Sequence, residues 1–252
     1  MTHEDLNTNK SRVIFFSRLI SVLIFIYILL FEFILLPNQF LPKPTILIES
    51  FLSLFSDYNF GYALLHTTSI IYAVIFLLYW MYRFLNSVTI KFSSLIPFKL
   101  NYTSYAVIFA PLFLSFWLDI PLWGEVLYVF IVVDFQFFKT IHNSLRDIKP
   151  EYIIASKSLE ISQKDAETTI IWNLLKPEIF KSYKQINITT WMSVILFEFF
   201  TALDGTGSVL TSLVLYHDFS GIIAFMIVIT LLIFVANLVI GYLHKKFADW
   251  EQ

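Results

Sequence analysis

Few side chains in this sequence could do chemistry, and the most conspicuous stand in apolar stretches. Glu198 lies between Phe197 and Phe199, and Asp134 lies in the run VLYVFIVVDFQFF. A carboxyl group in such a setting could belong to a transport path or an inter-subunit contact, serve a membrane enzyme together with a histidine, or be a protonated or hydrogen-bonded structural residue. The sequence nevertheless has no HxxxH, HExxH or GxSxG spacing and no cysteine. An enzyme is therefore not expected, and cysteine-based chemistry is excluded.

The histidines do not indicate a metal site. We interpret His66 as a helix-start residue with satisfied ring nitrogens, and the other four histidines lack the spacing of metal ligands. They are His3, His142, His217 and His244. The sequence therefore predicts neither a metal nor a cofactor.

Composition indicates where these side chains are held. The chain has 252 residues, of which 58% are hydrophobic and 14% are charged. So much apolar side chain suits a lipid environment better than water. The net charge of −2 gives no indication of nucleic acid as a partner.

The hydrophobic segments predict an all-α membrane protein with six transmembrane helices, since a span needs about 20 apolar residues. A proline turn, Asp119–Pro121, separates the third span from the fourth. Residues 1–12 form a predicted cytoplasmic tail, and 13–252 form a single transmembrane domain with a long polar loop at 142–185. The predicted spans are 13–36, 62–85, 102–118, 122–141, 186–203 and 220–243.

The cations predict how these spans are oriented. All of the 17 lysines and arginines except Lys43 fall at the termini, between spans two and three, or between spans four and five. Positive charge accumulates on the cytoplasmic side of membrane proteins. Both termini and the loop at 142–185 are therefore predicted to be cytoplasmic.

The polar loop predicts two short helices. Pro150 suits the first turn of one helix, and Ser162 suits the N-cap of the next. Pro177 is expected to bend or end the second helix before span five. The segment EYIIASKSLEIS, Glu151 to Ser162, is either a solvated loop that fixes topology or a helix that docks into a groove of a cytoplasmic partner.

Several stretches resemble the permease subunits of binding-protein-dependent ABC importers, in the sulfonate, nitrate and taurine branch. Ile154–Ser162 aligns with the loop signature Glu-Ala-Ala-x-x-x-Gly, although Ile154 replaces its glutamate and Glu160 its glycine. The other similar stretches, all collinear, are LPKPT at 41–45, LLHTTSIIY at 64–72, APLFLSFWLDI at 110–120, IIWNLLKP at 170–177 and FEFFTALDGTGSVL at 197–210.

The resemblance implies a multi-pass protein of the inner membrane that imports a small organic or anionic nutrient. Its partners would be a cytoplasmic ABC ATPase, a second permease copy in a homodimer or heterodimer, an extracytoplasmic substrate-binding protein and membrane lipid. ATP would be hydrolysed on the ATPase, because this chain has no G-x-x-x-x-G-K-[ST] motif. A degenerate, non-transporting scaffold in a heterodimer remains an alternative.

The same resemblance implies two groups of site residues. Glu198, Gly205 and Gly207 would belong to the translocation path or its gate. The ATPase would contact a docking helix through Tyr152, Ile154, Ala155, Ser156, Lys157, Leu159 and Glu160.

Overall fold

A computed structural model describes residues 3–34, 42–95, 113, 117, 121–148, 170–201 and 204–248. The chain is helical over these residues and contains no strand within them. The docking segment at 151–162 and the third predicted span at 102–118 lie outside the described residues, apart from the single positions 113 and 117.

Eight α-helices are described. A π-helical segment, Leu29–Ile34, extends the first of them. In chain order they are α1 (His3–Ile28), α2 (Pro44–Ser56), α3 (Phe60–Phe84), α4 (Asn86–Leu95), α5 (Pro121–Asp147), α6 (Trp172–Thr201), α7 (Thr206–Leu215) and α8 (Phe219–Ala248).

Three described segments are long and apolar enough to cross a membrane, namely Ser17–Ile34, Phe60–Phe84 and Phe219–Lys245. They match the first, second and sixth predicted spans. Helices α6 and α7 qualify only as a pair, with a bend of 53° between them. Helix α5 covers the fourth predicted span without a break but is not among the three. The described residues thus form an all-helical chain with three candidate membrane spans, compatible with a multi-pass membrane protein.

The chain separates into two compact units. One contains Met1–Tyr58 and Leu213–Ile227, and the other contains Asn59–Ser212 and Val228–Gln252. We call the second unit the larger unit. It contains helices α3 to α6 and the residues around Glu198.

Helix α3 shows why the larger unit packs as it does. Its buried residues recur every three or four positions, which places them on a single face of the helix. The opposite face exposes large apolar side chains such as Leu65, Phe76 and Leu77, as expected for contact with lipid. The buried face consists of Phe60, Ala63, Thr67, Ile71, Val74, Leu78 and Tyr82.

Aromatic side chains fix α5 against its neighbours. Tyr128 of α5 stacks on Phe197 of α6, with ring centroids 4.9 Å apart. Phe137, farther along α5, stacks on Tyr82 of α3 at 5.7 Å. Offset aromatic pairs of this kind contribute about 0.5–1.5 kcal/mol beyond the area they bury. Helix α5 is therefore held on two sides.

Proline occupies helix starts in two places. Pro44 and Pro121 begin α2 and α5, where the missing N–H costs nothing. Pro177 does not end the helix, because α6 continues through it from Trp172 to Thr201. A proline inside a helix removes one backbone hydrogen bond, and the bend expected as the other outcome stays a prediction.

The smaller unit is held by local polar contacts. Asp218 Oδ1 accepts hydrogen bonds from the Gly221 backbone N–H and the Ser220 hydroxyl, each 2.8 Å, and so caps the start of α8. Glu32 accepts a hydrogen bond of 3.2 Å from the Thr45 hydroxyl. This carboxylate, expected near the outer end of the first span, thus pairs with the start of α2.

Candidate functional site

Glu198 is the centre of a buried polar cluster in the larger unit. It lies near the end of α6 with no exposed surface. Thr67 Oγ1 of α3 donates to Glu198 Oε1 at 2.6 Å. Thr206 Oγ1 and the Gly207 backbone N–H donate to Glu198 Oε2 at 3.1 and 2.7 Å. The carboxylate therefore joins three helices, and the first turn of α7 favours its negative charge.

Thr67 has a second function in this cluster. Its Oγ1 accepts a hydrogen bond of 3.0 Å from the Thr206 backbone N–H, and it lies 2.6 Å from Glu198 Oε1 and 3.1 Å from the Ala63 carbonyl oxygen. Thr67 and Thr206 are both fully buried. A threonine hydroxyl can donate one hydrogen bond and accept two, so Thr67 can donate to Glu198 and accept from Thr206 at the same time.

Positions 205 and 207 require glycine because the backbone there lies very close to Glu198 and its helix. A Cβ atom at Gly205 would overlap the Glu198 carboxyl group. At Gly207 it would overlap the Ile195 carbonyl oxygen and the backbone nitrogen of Phe199. The Gly-x-Gly spacing thus lets the chain before and at the start of α7 lie directly on α6.

Two further ionisable side chains adjoin Glu198. Glu125 of α5 is fully buried, and neither of its carboxylate oxygens has a hydrogen-bond partner among the described residues. His66 of α3 has a buried Nδ1 that is likewise without a partner there. One ligand atom from each of His66, Glu125 and Glu198 lies within 4.8 Å of the other two. This arrangement could hold a cation.

His66 therefore departs from the sequence interpretation. A histidine with satisfied ring nitrogens was expected, but Nδ1 faces no donor or acceptor among the described residues. Glu125 was not singled out from the sequence at all. Its signal was a carboxylate in the apolar stretch PLWGEVLYVF, which the cost of burying charge marks as a functional candidate.

Asp134 lies elsewhere in the larger unit and has its own partner. The Tyr82 hydroxyl of α3 donates to Asp134 Oδ1 at 2.7 Å. The bond joins α3 to α5 and gives Asp134 a structural function.

A ladder of polar side chains ties α6 to α3 and α8. The Tyr72 hydroxyl donates to Asn187 Oδ1 at 3.0 Å, and Asn187 Nδ2 donates to Asn237 Oδ1 at 3.1 Å. Because oxygen and nitrogen of Asn187 each have a partner of the right kind, the amide is held in one orientation.

A polar groove runs between α5 and α6. Its volume is about 330 Å³, and it carries one charged side chain, Lys139, in its lining. The polar residues that line it include Gln136, Asn143, Gln185 and Thr189. Such a groove could accommodate a small polar solute.

The structure brings together three of the predicted site residues, Glu198, Gly205 and Gly207. The predicted docking residues all fall between 151 and 162, outside the described part of the chain, and their function stays a prediction. No family model, no curated protein and no solved structure matches this chain.

Proposed function

We propose that this chain is the permease subunit of an ATP-driven ABC importer for a small organic or anionic nutrient. One observation carries the proposal. Two stretches on which the resemblance rests, 64–72 and 197–210, meet in a single buried cluster. Thr67 of the first donates to Glu198 of the second across 131 positions of sequence. Collinear motifs that also converge in space are expected when they act in one site.

The predicted topology indicates on which side of the membrane this cluster would lie. In a six-span chain with cytoplasmic termini, the starts of spans two and four and the end of span five share the extracytoplasmic side. His66 and Glu125 lie near the starts of α3 and α5, and Glu198 lies near the end of α6. The cluster would then close the outer end of the helix bundle, as a gate does.

The groove between α5 and α6 lies at the end of these helices that the predicted topology assigns to the cytoplasmic side. Gln136 and Thr189 of its lining fall inside predicted spans, and Asn143 and Gln185 fall in the predicted cytoplasmic loop. This groove would be the cytoplasmic mouth of the solute's route. Lys139 supplies positive charge in this groove. That charge suits an anionic nutrient.

Coupling to ATP hydrolysis would run through the segment 151–162. The chain has no phosphate-binding loop, so the energy must come from another subunit. Ala155 and Ser156 are small residues in the centre of this segment. Bulky charged side chains at these positions would keep a docking helix out of its groove.

The test is purification of the tagged protein from its native cell in mild detergent, with partners identified by mass. We expect an ABC ATPase that is lost from the Ala155→Glu/Ser156→Lys variant. Lys181→Glu provides the control, because Lys181 is exposed and pairs only weakly with Glu178 in the described structure. It should keep the ATPase.

The remaining outcomes separate the alternatives. A folded preparation without any ATPase contradicts the importer and favours a scaffold or an enzyme. An ATPase together with a second, different permease establishes a heterodimer. Retention of the ATPase by the Ala155→Glu/Ser156→Lys variant shows that the coupling contact lies elsewhere in the chain.

A further inference from the structure

We propose that His66, Glu125 and Glu198 form a binding site for a divalent transition-metal cation, of the kind of Zn²⁺ or Mn²⁺. The inference does not rest on the proposed transport function. It rests on three side chains from three different helices, α3, α5 and α6, whose ligand atoms lie within 4.8 Å of one another.

Glu125 is the observation that points to a ligand. It is completely buried, and both of its carboxylate oxygens lack a hydrogen-bond partner among the described residues. A buried carboxylate without a partner is costly. Its neighbour Glu198 is also a carboxylate, which when ionised offers only acceptors. Two adjacent buried carboxyl groups need a shared proton or a bound cation between them.

The described residues do not supply that positive charge. No lysine or arginine within the described ranges forms an ion pair with Glu125 or Glu198. His66 can contribute a neutral nitrogen, since its Nδ1 is buried and has no partner there. A divalent ion would balance the two carboxylates and leave the imidazole neutral.

The donor set selects the class of cation. One imidazole nitrogen and two carboxylate oxygens suit Zn²⁺ or Mn²⁺, whereas Ca²⁺ and Mg²⁺ prefer oxygen alone. Bonds of about 2.0–2.2 Å would draw the three ligand atoms somewhat closer than they are here. Small rotations of the unpartnered Glu125 and His66 side chains could supply that movement.

Glu198 is already oriented as a metal ligand would be. Thr67, Thr206 and the Gly207 N–H hold its two oxygens from outside. Hydrogen bonds of this kind fix the direction of a ligating carboxylate.

The test uses the purified full-length protein, stripped with a chelator and then exposed to Zn²⁺ or to Mn²⁺ alone. After desalting we expect about one ion per chain by mass spectrometry. We also expect a rise in Tm of about 5 °C at saturating metal. Glu125→Gln and His66→Gln should lose both effects. Asp134→Asn changes a carboxylate to an amide in the same helix, outside the cluster, and should keep both.

Two results would overturn the proposal. One is a folded wild-type protein that retains neither ion. The other is equal retention by wild type and Glu125→Gln. An infrared band of a protonated carboxyl group that is lost in Glu125→Gln but persists in wild type at saturating Zn²⁺ and Mn²⁺ would show that a proton occupies this position, and it would overturn the proposal as well. Should Glu125→Gln fail to fold, Glu125→Asp replaces it and should bind the ion more weakly than wild type.

Discussion

The Thr67 hydroxyl of α3 lies 2.6 Å from Glu198 Oε1 of α6, and both residues have no exposed surface. The same hydroxyl accepts the Thr206 N–H at the start of α7. A single side chain therefore links three helices. Removing it should affect folding as well as any function of the cluster.

We expect Thr67→Val to lower the free energy of unfolding by about 1.5–3 kcal/mol, the range for hydrogen bonds to charged groups. Valine keeps the shape but leaves Glu198 Oε1 and the Thr206 N–H without partners. Thermal unfolding in detergent would measure this loss. Thr67→Ser keeps the hydroxyl and should cost clearly less; equal losses in the two variants would contradict a hydrogen-bonding function.

The glycines near Glu198 lead to a second prediction. Gly205→Ala and Gly207→Ala place a methyl group against the Glu198 carboxyl group and against the α6 backbone, respectively. Overpacking of this kind costs about 1–3 kcal/mol, with Gly207→Ala the more severe because backbone cannot move aside. Tm measurements on the purified variants would test this order.

Gly241→Ala is the matched control for these variants. A Cβ there would meet only the flexible end of Lys184, at 3.0 and 3.2 Å. Alanine also has a higher helix propensity than glycine. The Tm of Gly241→Ala should stay the same or rise slightly, and a fall as large as that of Gly207→Ala would refute the steric argument.

The Tyr82–Asp134 contact predicts measurable coupling between α3 and α5. Tyr82→Phe should destabilise the protein by about 1–3 kcal/mol, because Asp134 loses its donor in a mostly buried position. In a double-mutant cycle with Asp134→Asn the two losses should not add. Tyr242→Phe, at an exposed tyrosine, serves as the control and should have little effect.

The predicted orientation can be tested by labelling, since the natural chain contains no cysteine. Asp57→Cys and His217→Cys are exposed positions in predicted extracytoplasmic loops. A membrane-impermeant maleimide should label them in intact cells. Lys181→Cys, also exposed, should react only after the membrane is opened. Labelling of all three in intact cells would disprove the six-span topology.

Some elements were accessible from sequence because they depend on local pattern alone. The second and sixth predicted spans, 62–85 and 220–243, agree closely with α3 and α8. Glu198 was recognisable because a carboxylate between phenylalanines in a span is costly. In these cases the length of an apolar segment predicts the helix, and the cost of burying a charge identifies the residue, without knowledge of any other segment.

Other features depend on which helices meet. Glu125 lies near the start of a predicted span, where a carboxylate could reach the membrane surface. Only the packing of α5 against α3 and α6 buries it. His66 Nδ1 is buried without a partner because of the same packing of helices. Pro177 was expected to bend or end a helix, and α6 continues through it.

The ladder from Tyr72 through Asn187 to Asn237 bears on how the molecule can change shape. A helix advances about 1.5 Å per residue, so a slide of α6 along α8 by even one residue would separate the two amides. The ladder therefore opposes a slide of α6 along α3 or α8 within the larger unit. By contrast, the groove that contains Lys139 separates α5 from α6 at one end, so a small displacement of these two helices there would break none of the ladder's hydrogen bonds.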